Sequence, residues 1–416
     1  MDRASHVILA VLLAVLCMMS VQSCMARRNE FALYPVQKGV QLPGNVRVLL
    51  SAGEPCKLRV SGGYEITAGR DVLFADSSPM PEATVVAFPG GMSINNQSIR
   101  SVQVDVVPKV DGTLWVNGRS YHGTLQLVNR PDRGLTAVNV LGLEDYLGGV
   151  IAGEMPSLWP MPALKAQAIA ARTYALYRAR SRASWEYDVS AGTSDQVYAG
   201  IAGETSSSRE AVKQTYGTVL LYDWKILPAY YHAVCGGHTA SARVIFGEDD
   251  VTPLSGVECS YCNPKVQGLS GVKIEKYYRW QVTVPQAGLL AALARQGCKL
   301  QALDAIVPVG PDKGGHAADL EIRPAAAKPG SLAGAAAAQP IRMTVDKFRS
   351  LIGYGKLISP AFTCTKSGDA IVISGRGYGH GVGMCQWGAR GMAVDGFGTK
   401  AILDHYYPGA EIVKVY

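Results

Sequence analysis

Between residues 46 and 130 the chain repeats one pattern, in which apolar and polar residues alternate within short runs rich in β-branched side chains. The runs NVRVLLS, TVVAF, VQVDVV, GTLWVNG and GTLQLVN are separated by Gly, Pro, Asn or Asp. Alternation with a period of two is typical of half-buried strands, and the separating residues favour turns. The pattern predicts a β-rich accessory domain over residues 45–130. A scaffold without chemistry is the simplest interpretation of it.

The pattern changes after residue 130. Trp159-Pro160-Met161-Pro162 interrupts the chain, and Pro162 suits the first turn of a helix. The next residues predict a helix to about Ala183. Further on, a Gly-rich loop leads into a helix, and a short helix is expected near residues 400–406. The chain is therefore predicted to be an α+β protein with a mixed α/β core and a substrate groove over residues 131–416. An insertion rich in Ala, Gly and Pro interrupts this core near residues 324–340.

The N-terminus predicts export. A polar start with Arg3 precedes an apolar run of about fifteen residues, which is short for a membrane span. This pattern is typical of a signal peptide, here residues 1–24. Val21-Gln22-Ser23-Cys24 resembles a lipoprotein cleavage site with Cys24 as the lipidated residue. Ordinary cleavage and a retained anchor are the alternatives. Each places the body of the protein in the periplasm or cell envelope, with membrane contact only through its N-terminus.

The net charge of +7 favours an anionic partner only weakly, because the basic residues are dispersed. No run of Lys and Arg interleaved with aromatic residues predicts a nucleic-acid-binding surface.

Seven cysteines lie beyond the leader, and an odd number in an exported chain argues against a framework built only of disulfides. Cys235-x2-His238 is followed by Cys259-x2-Cys262. Paired knuckles of this kind indicate a tetrahedral zinc site, and four protein ligands would make the metal structural. His232 is a spare nitrogen ligand. A Cys259–Cys262 or Cys235–Cys259 disulfide is the alternative.

Glu154 precedes Met155-Pro156, and Pro156 disfavours helical geometry at Met155. The carboxyl group is therefore expected on a constrained turn. One interpretation is a general acid/base in a cleft roofed by apolar groups such as Met155, Leu158 and Trp159, which would raise its pKa. The other is a carboxylate that binds helix N-terminal amides.

The Gly-rich segment GYGHGVGMCQWGA begins at residue 377. Four glycines in seven residues let the backbone approach a ligand closely. His380 and Gln386 offer hydrogen-bonding groups, while Tyr378 and Trp387 offer faces for sugar stacking. A phosphate loop is disfavoured because no Lys-Ser/Thr pair follows. A tight turn with His380 in the core is the structural alternative, and a Cys385 nucleophile activated by His380 is another functional one.

Three segments resemble the stage II sporulation protein D (SpoIID) family of peptidoglycan lytic enzymes, which includes the LytB-type amidase enhancers. They are LEDYLGGVIAGEMPSLWPMPALKAQAIAARTYAL, CGGHTAS with its downstream CSYC, and GYGHGVGMCQWGARGMA. The resemblance covers about residues 130–270 and 370–410. It implies that Glu154 is the catalytic acid and that the Cys/His knuckles match those of zinc-binding members. The family usually has Ser where this chain has Cys385.

The resemblance implies a lytic transglycosylase acting on peptidoglycan glycan strands. Such an enzyme needs one carboxyl group, whereas an ordinary glycosidase needs two. The nearest upstream acids, Glu144 and Asp145, are interpreted as structural. The predicted substrate contacts are Arg172, Lys165, Tyr378, His380 and Gln386. For Arg172 and Lys165 a solvated surface charge is the alternative. A rival function is a non-catalytic wall-binding protein that enhances a separate cell-wall amidase. A zinc amidase is a third, and it would need an open metal site.

Overall fold

The computed structural model describes residues 34–35, 44–268, 274–325 and 339–416. The predicted leader at residues 1–24, with its lipidation site Cys24, lies outside the described residues. So do residues 326–338 of the predicted insertion. Within the described ranges, no helix combines the length and the apolar content that crossing a membrane would require.

The N-terminal region forms strands because its apolar residues recur at every second position. In Cys56–Val60 the first, third and fifth side chains are buried, and the two basic side chains between them are exposed. The strands of this region are Asn45–Ala52, Cys56–Val60, Tyr64–Ala68, Asp71–Asp76, Met80–Phe88, Gly91–Ile94, Gln97–Ile99, Gln103–Pro108, Leu114–Val116, Arg119–Tyr121, Thr124–Arg130 and Gly134–Gly142.

These strands form a six-stranded and a seven-stranded sheet in which neighbours run antiparallel, apart from one parallel addition. Val189–Ser190 joins the seven-stranded sheet in parallel with Asn45–Ala52. Thr124–Arg130 pairs with Gly134–Gly142, so the predicted domain boundary falls in the turn of a hairpin. The second of these strands leads directly into the helix Leu143–Glu154.

The long helix Met161–Ser181 lies in the middle of the core. It begins after Pro160, and Pro162 lies in its first turn, where a missing amide hydrogen removes no helical bond. Fifteen of its residues are buried, and its many alanines let neighbouring elements pack closely. The predicted helix is confirmed. The helices of the described chain are Leu143–Glu154, Met161–Ser181, Ser206–Gln214, Ala242–Phe246, Ile274–Tyr278, Gln286–Arg295, Val345–Ile352, Gln386–Val394 and Thr399–Tyr406.

Further strands surround and follow this helix. Thr218–Tyr222 lies between Lys225–Ile226 and the C-terminal strand Glu411–Lys414. Two segments far apart in sequence meet where Tyr231–His232 pairs in parallel with Met384–Cys385. That short pair joins the first Cys/His knuckle to the Gly-rich motif.

Residues 279–376 contain a second hydrophobic core, which includes Leu293, Leu320, Phe348 and Ile373. Two three-stranded sheets enclose it. Their strands are Arg279–Pro285, Leu303–Val309, Asp319–Pro324, Ile341–Thr344, Phe362–Ser367 and Ala370–Arg376. This unit separates the Cys-rich segments from the Gly-rich motif in sequence. Together the sheets and helices confirm the predicted α+β class.

Candidate functional site

Glu154 is the last residue of the helix that leads from the N-terminal sheet into the core. The helix ends there because Pro156 disfavours helical geometry at Met155, which is extended with φ −129° and ψ 140°. The carboxylate is directed to Val197 and Gln386. The structure therefore does not support the alternative in which Glu154 binds the first amides of the next helix.

Three donors hold the Glu154 carboxylate. Oε1 accepts from the backbone N–H of Val197 at 2.8 Å, and Oε2 accepts from Gln386 Nε2 at 3.2 Å. The Tyr231 hydroxyl also donates to it and accepts from Gln196 Nε2 at 3.0 Å. Burial raises the pKa of Glu154, and these bonds limit the increase because they stabilise the ionised form. A raised pKa suits a carboxyl group that must donate a proton.

Glu154 lines a cavity of about 450 Å³, a size typical of small-ligand sites. Tyr378, His380 and Gln386 line the same cavity, so the structure brings four of the sequence-predicted site residues together. The lining as a whole is Glu154, Tyr174, Arg178, Thr193, Ser194, Asp195, Val197, Tyr230, Tyr231, His232, Ala233, Phe246, Tyr378, Gly379, His380 and Gln386.

The apolar roof expected over Glu154 is not part of this lining. Met155 is buried in the core, and Leu158 is exposed to solvent. Trp159 packs edge-on against Trp387 with ring centroids 4.8 Å apart. Both tryptophans are therefore engaged with each other outside the cavity, and tyrosine and phenylalanine rings from later segments provide its apolar surface instead.

His380 uses both ring nitrogens to shape the Gly-rich loop. Nδ1 accepts from the backbone N–H of Val382 at 3.1 Å, so Nε2 carries the hydrogen and donates to the Tyr231 carbonyl at 2.9 Å. Burial lowers the pKa of His380 to about 4, which keeps the ring neutral. His380 thus borders the cavity as a neutral residue that orders the loop.

Gly381 shows why this loop needs glycine. Its φ of +87° lies in the left-handed region, and a Cβ there would come within 2.8 Å of His316 Nε2. His316 belongs to the unit of residues 279–376 and is held by Asp312, which also accepts from the backbone N–H of Ser241 at 3.0 Å. A loop from the second core therefore packs directly against the Gly-rich motif.

Arg172 and Lys165 lie outside the cavity lining. The Arg172 guanidinium is fully buried and forms two bonds to Glu144, at 2.8 and 2.7 Å. It also donates to the Thr218 carbonyl at 3.0 Å. The structural interpretation of Glu144 is thus supported. The structure does not support the expected substrate contact through Arg172, because its guanidinium is already bonded to groups of neighbouring packed elements. Lys165 borders a separate surface depression.

Arg178 is the arginine that reaches the cavity, and the sequence reasoning missed it. At 100° per residue it lies about 120° around the helix from Arg172, but it shares a helix face with Tyr174, four residues earlier. This i, i+4 spacing from Tyr174 was the sequence signal that could have identified Arg178. Tyr174 and Arg178 both contact Asp195, at 3.0 and 3.2 Å.

Asp195 is a second carboxylate in the cavity wall, but four hydrogen-bond donors and the Arg178 guanidinium surround it. Besides Tyr174 and Arg178, Arg182 contributes its Nη1, which lies 2.9 Å from the Asp195 carboxylate. The backbone N–H and the hydroxyl of Ser190 complete the set, each at 2.9 Å. Asp195 is therefore committed to holding the loop, and Glu154 is the lining carboxyl group suited to proton transfer.

Four buried cysteines form a cluster in the core, with all sulfur atoms within 4.8 Å of one another. They are Cys235, Cys259, Cys262 and Cys385. The prediction of His238 as the fourth member is corrected. Its Nδ1 lies 2.7 Å from the Thr239 carbonyl, and its backbone bridges to Glu258. The parallel pairing of Tyr231–His232 with Met384–Cys385 delivers the Cys385 sulfur instead.

The cluster suits a tetrahedral metal ion. Zinc–sulfur bonds of about 2.3 Å imply sulfur–sulfur separations of roughly 3.8 Å, and Cys235 and Cys262 are already 3.4 Å apart. Backbone N–H groups of Cys235 and Gly388 point at Cys385 Sγ, at 3.3 and 3.4 Å. Such donors stabilise a thiolate. Hydrogen bonds from the neighbouring thiols lower the pKa of Cys259 well below its usual value, whereas burial raises the pKa of Cys235 and Cys385, and a bound cation would favour the ionised form of these two.

The cluster and the carboxyl group are linked through adjacent residues. Cys385 is the N-cap of the helix Gln386–Val394. The next residue, Gln386, donates to Glu154. A bond to Cys385 would therefore fix the start of the helix that carries this donor.

Comparison with known proteins gives consistent results. A family model described as stage II sporulation protein (SpoIID) matches residues 131–222, which include Glu154, Arg178 and Asp195. An uncharacterized protein of Brachyspira hyodysenteriae is 33% identical over 337 residues, which is 81% of this chain and 84% of that protein.

Two Bacillus subtilis proteins are also similar. The protein named amidase enhancer is 28% identical over 64% of this chain, but the match spans only 40% of that longer protein. The protein named stage II sporulation protein D is 28% identical over 66% of this chain and 76% of its own length.

Proposed function

Because the chain belongs to the stage II sporulation protein D (SpoIID) family, we propose that it is an extracytoplasmic lytic transglycosylase that cleaves peptidoglycan glycan strands. The proposal rests on one observation: the two carboxyl groups that line the cavity differ in how many partners surround them. Asp195 accepts four hydrogen bonds and is paired with two arginines, whereas Glu154 is partly buried with a raised pKa. This arrangement supports chemistry with one acid/base group rather than two.

In the proposed reaction, protonated Glu154 first donates its proton to the glycosidic oxygen that leaves C1 of an N-acetylmuramyl residue. The carboxylate so formed then accepts the proton of the 6-hydroxyl group of the same sugar. The 6-oxygen bonds to C1 after the glycosidic bond has broken, on the face that the leaving oxygen has vacated. The products are a free 4-hydroxyl end and a 1,6-anhydro-muramyl end, without uptake of water. Gln386, Tyr231 and the Val197 amide stabilise the carboxylate between the two proton transfers.

We further propose that the four cysteines hold one structural zinc ion. The ion would lock the first knuckle, the second knuckle and Cys385 together and would thereby position Gln386. Four thiolate ligands close the coordination shell, which favours this role over activation of water. A zinc amidase would need an open position, so the ligand set does not favour it.

Product analysis by mass spectrometry tests the glycan-cleaving function. The purified chain is incubated with glycan strands, with and without peptide stems, beside Glu154→Gln. The parent is expected to form anhydro-muramyl ends. The variant should form them about 100- to 10,000-fold more slowly, because it lacks the general acid. Glu210→Gln, an exposed carboxyl change on another helix, is the matched control. Hydrated ends, or full activity of Glu154→Gln, would refute the mechanism.

The rival function is a non-catalytic wall protein that enhances an amidase. The similarity to the amidase enhancer of Bacillus subtilis favours it. It predicts glycan binding without new chain ends, and Glu154→Gln would then bind and stimulate an amidase as well as the parent does. The same product assay therefore distinguishes the two functions.

A further inference from the structure

The Arg178 side chain lies in the wall of the cavity that contains Glu154, although it is only 8% exposed. Its Nε is 3.2 Å from Asp195 Oδ1 but forms no hydrogen bond of good geometry there. The guanidinium is thus a largely buried cation that borders a ligand-sized space. Nothing in the proposed proton transfers uses it.

The charges around Arg178 do not cancel. Arg178 and Arg182 share one carboxylate, Asp195, at 3.2 and 2.9 Å. The histidine side chains of the lining carry no negative charge, so they do not balance the second arginine. Glu248 is the other acid close to Arg178, and it accepts a hydrogen bond from the Tyr230 hydroxyl at 2.6 Å. Burial raises the pKa of Glu248 to about 7, so near neutral pH it supplies only part of a negative charge. When Glu154 is protonated, the lining thus holds one cation, Arg178, and one carboxylate, Asp195, which Arg178 shares with Arg182.

Arg178 and Glu154 both contact one short segment of the cavity wall. Arg178 contacts Asp195, and Glu154 accepts from the backbone N–H of Val197, two residues further along the same segment. Two residues of extended chain span at most about 7 Å. Both side chains line one cavity of about 450 Å³, so a sugar whose glycosidic bond lies at Glu154 has room to place an anionic substituent at Arg178.

We infer that Arg178 forms a carboxylate subsite that recognises the lactyl group of the muramyl residue bound at Glu154. This inference rests on the proposed function. A free lactyl group is a carboxylate, whereas a lactyl group joined to an amine is a neutral amide. A buried arginine beside the cavity distinguishes the two, because a charge-assisted bond is stronger than a neutral one. The subsite would select the sugar by its charge.

Binding measured without cleavage tests the subsite. Glu154→Gln is titrated by calorimetry with an N-acetylglucosaminyl-N-acetylmuramic acid disaccharide and with the same disaccharide carrying its lactyl group as a primary amide. The carboxylate form is expected to bind about 10- to 100-fold more tightly. Equal affinity for the two forms overturns the inference, and this comparison needs no change at Arg178.

A second variant assigns the preference to Arg178. Arg178→Gln, added to Glu154→Gln, should abolish the preference by weakening binding of the carboxylate form much more than binding of the amide form, and Asp195 keeps its other donors. Arg178→Lys should restore part of it. Arg182→Gln is the matched control, since it pairs with the same carboxylate but lies outside the lining. If the Arg178 and Arg182 variants both lose affinity for the carboxylate and the amide disaccharides to the same extent, Arg178 has a structural role and the inference is overturned.

Failure of the catalytic proposal would give a different result. In that case the carboxylate preference persists in the binding assay, while the parent protein forms no anhydro ends. Anhydro ends formed equally from carboxylate and amide substrates would instead leave the catalytic proposal intact and remove the subsite.

Discussion

Gln386 offers a direct test of how the cavity controls the acid. Its Nε2 donates to Glu154 Oε2 at 3.2 Å, and the side chain is 5% exposed. Gln386→Leu removes this donor while keeping an apolar group of similar size. The ionised form of Glu154 loses a partner and the protonated form does not, so the pKa of Glu154 should rise further.

The size of the shift follows from the strength of the bond. A hydrogen bond to a charged group contributes about 1.5–3 kcal/mol, and one pKa unit corresponds to about 1.4 kcal/mol. A donor–acceptor distance of 3.2 Å is long for a charge-assisted bond, so the lower end of this range is appropriate. The expected increase in the pKa of Glu154 is about one unit.

The assay is the pH dependence of anhydro-product formation. Glu154 must be protonated at the start of the reaction, so the rate falls as pH rises through its pKa. In Gln386→Leu this falling limb should move about one unit to higher pH. Tyr231→Phe should move it in the same direction, and the exposed control Gln214→Leu should not move it. An unchanged limb, or one displaced to lower pH, would refute this account of Gln386.

Three other predictions concern stability and metal binding. Arg172→Met should lower the free energy of unfolding in urea by about 3 kcal/mol, because it removes the cation paired with Glu144 and leaves that carboxylate with the Tyr416 hydroxyl alone; a change below about 1 kcal/mol would contradict the structural role. Cys385→Ser should weaken zinc binding measured by plasma mass spectrometry after dialysis against a chelator, whereas His238→Ala should keep about one zinc per chain; the opposite pattern would restore the sequence-based ligand set. Burial holds the pKa of His380 at about 4 in the folded state, compared with about 6.5 when unfolded, so acidification protonates the unfolded chain first and removes stability between these values. His380→Gln should therefore reduce the loss between about pH 6.5 and 4 by up to about 3 kcal/mol, and an equal loss in parent and variant would contradict this assignment.

Local features were predictable where neighbouring residues decide the conformation. Pro156 ends the helix at Glu154, and Pro162 begins the next one, so both boundaries follow from backbone sterics. The alternating runs before residue 130 became strands for the same kind of local reason. The Gly-rich motif was identified as a ligand-facing loop, and its Tyr378 and His380 do line the cavity.

The predictions that failed depended on what packs against a side chain. Arg172 and Arg178 lie on one helix, and their spacing does not tell which of them meets Glu144 and which meets the cavity. His238 has the spacing of a metal ligand, but its ring turns to the adjacent backbone. Cys385 comes from a segment 150 residues beyond Cys235, so no local pattern connects the two sulfur atoms.

By itself, the sequence determined the α+β class, the break in helical geometry after Glu154 and the family. These follow from periodicity, proline and glycine geometry and long motifs, all of which act within a few residues. Only the tertiary structure decided the cavity charge, the fourth cysteine and the burial of Arg172. Those properties depend on which distant groups exclude water from a side chain and which partner they bring within about 3 Å of it.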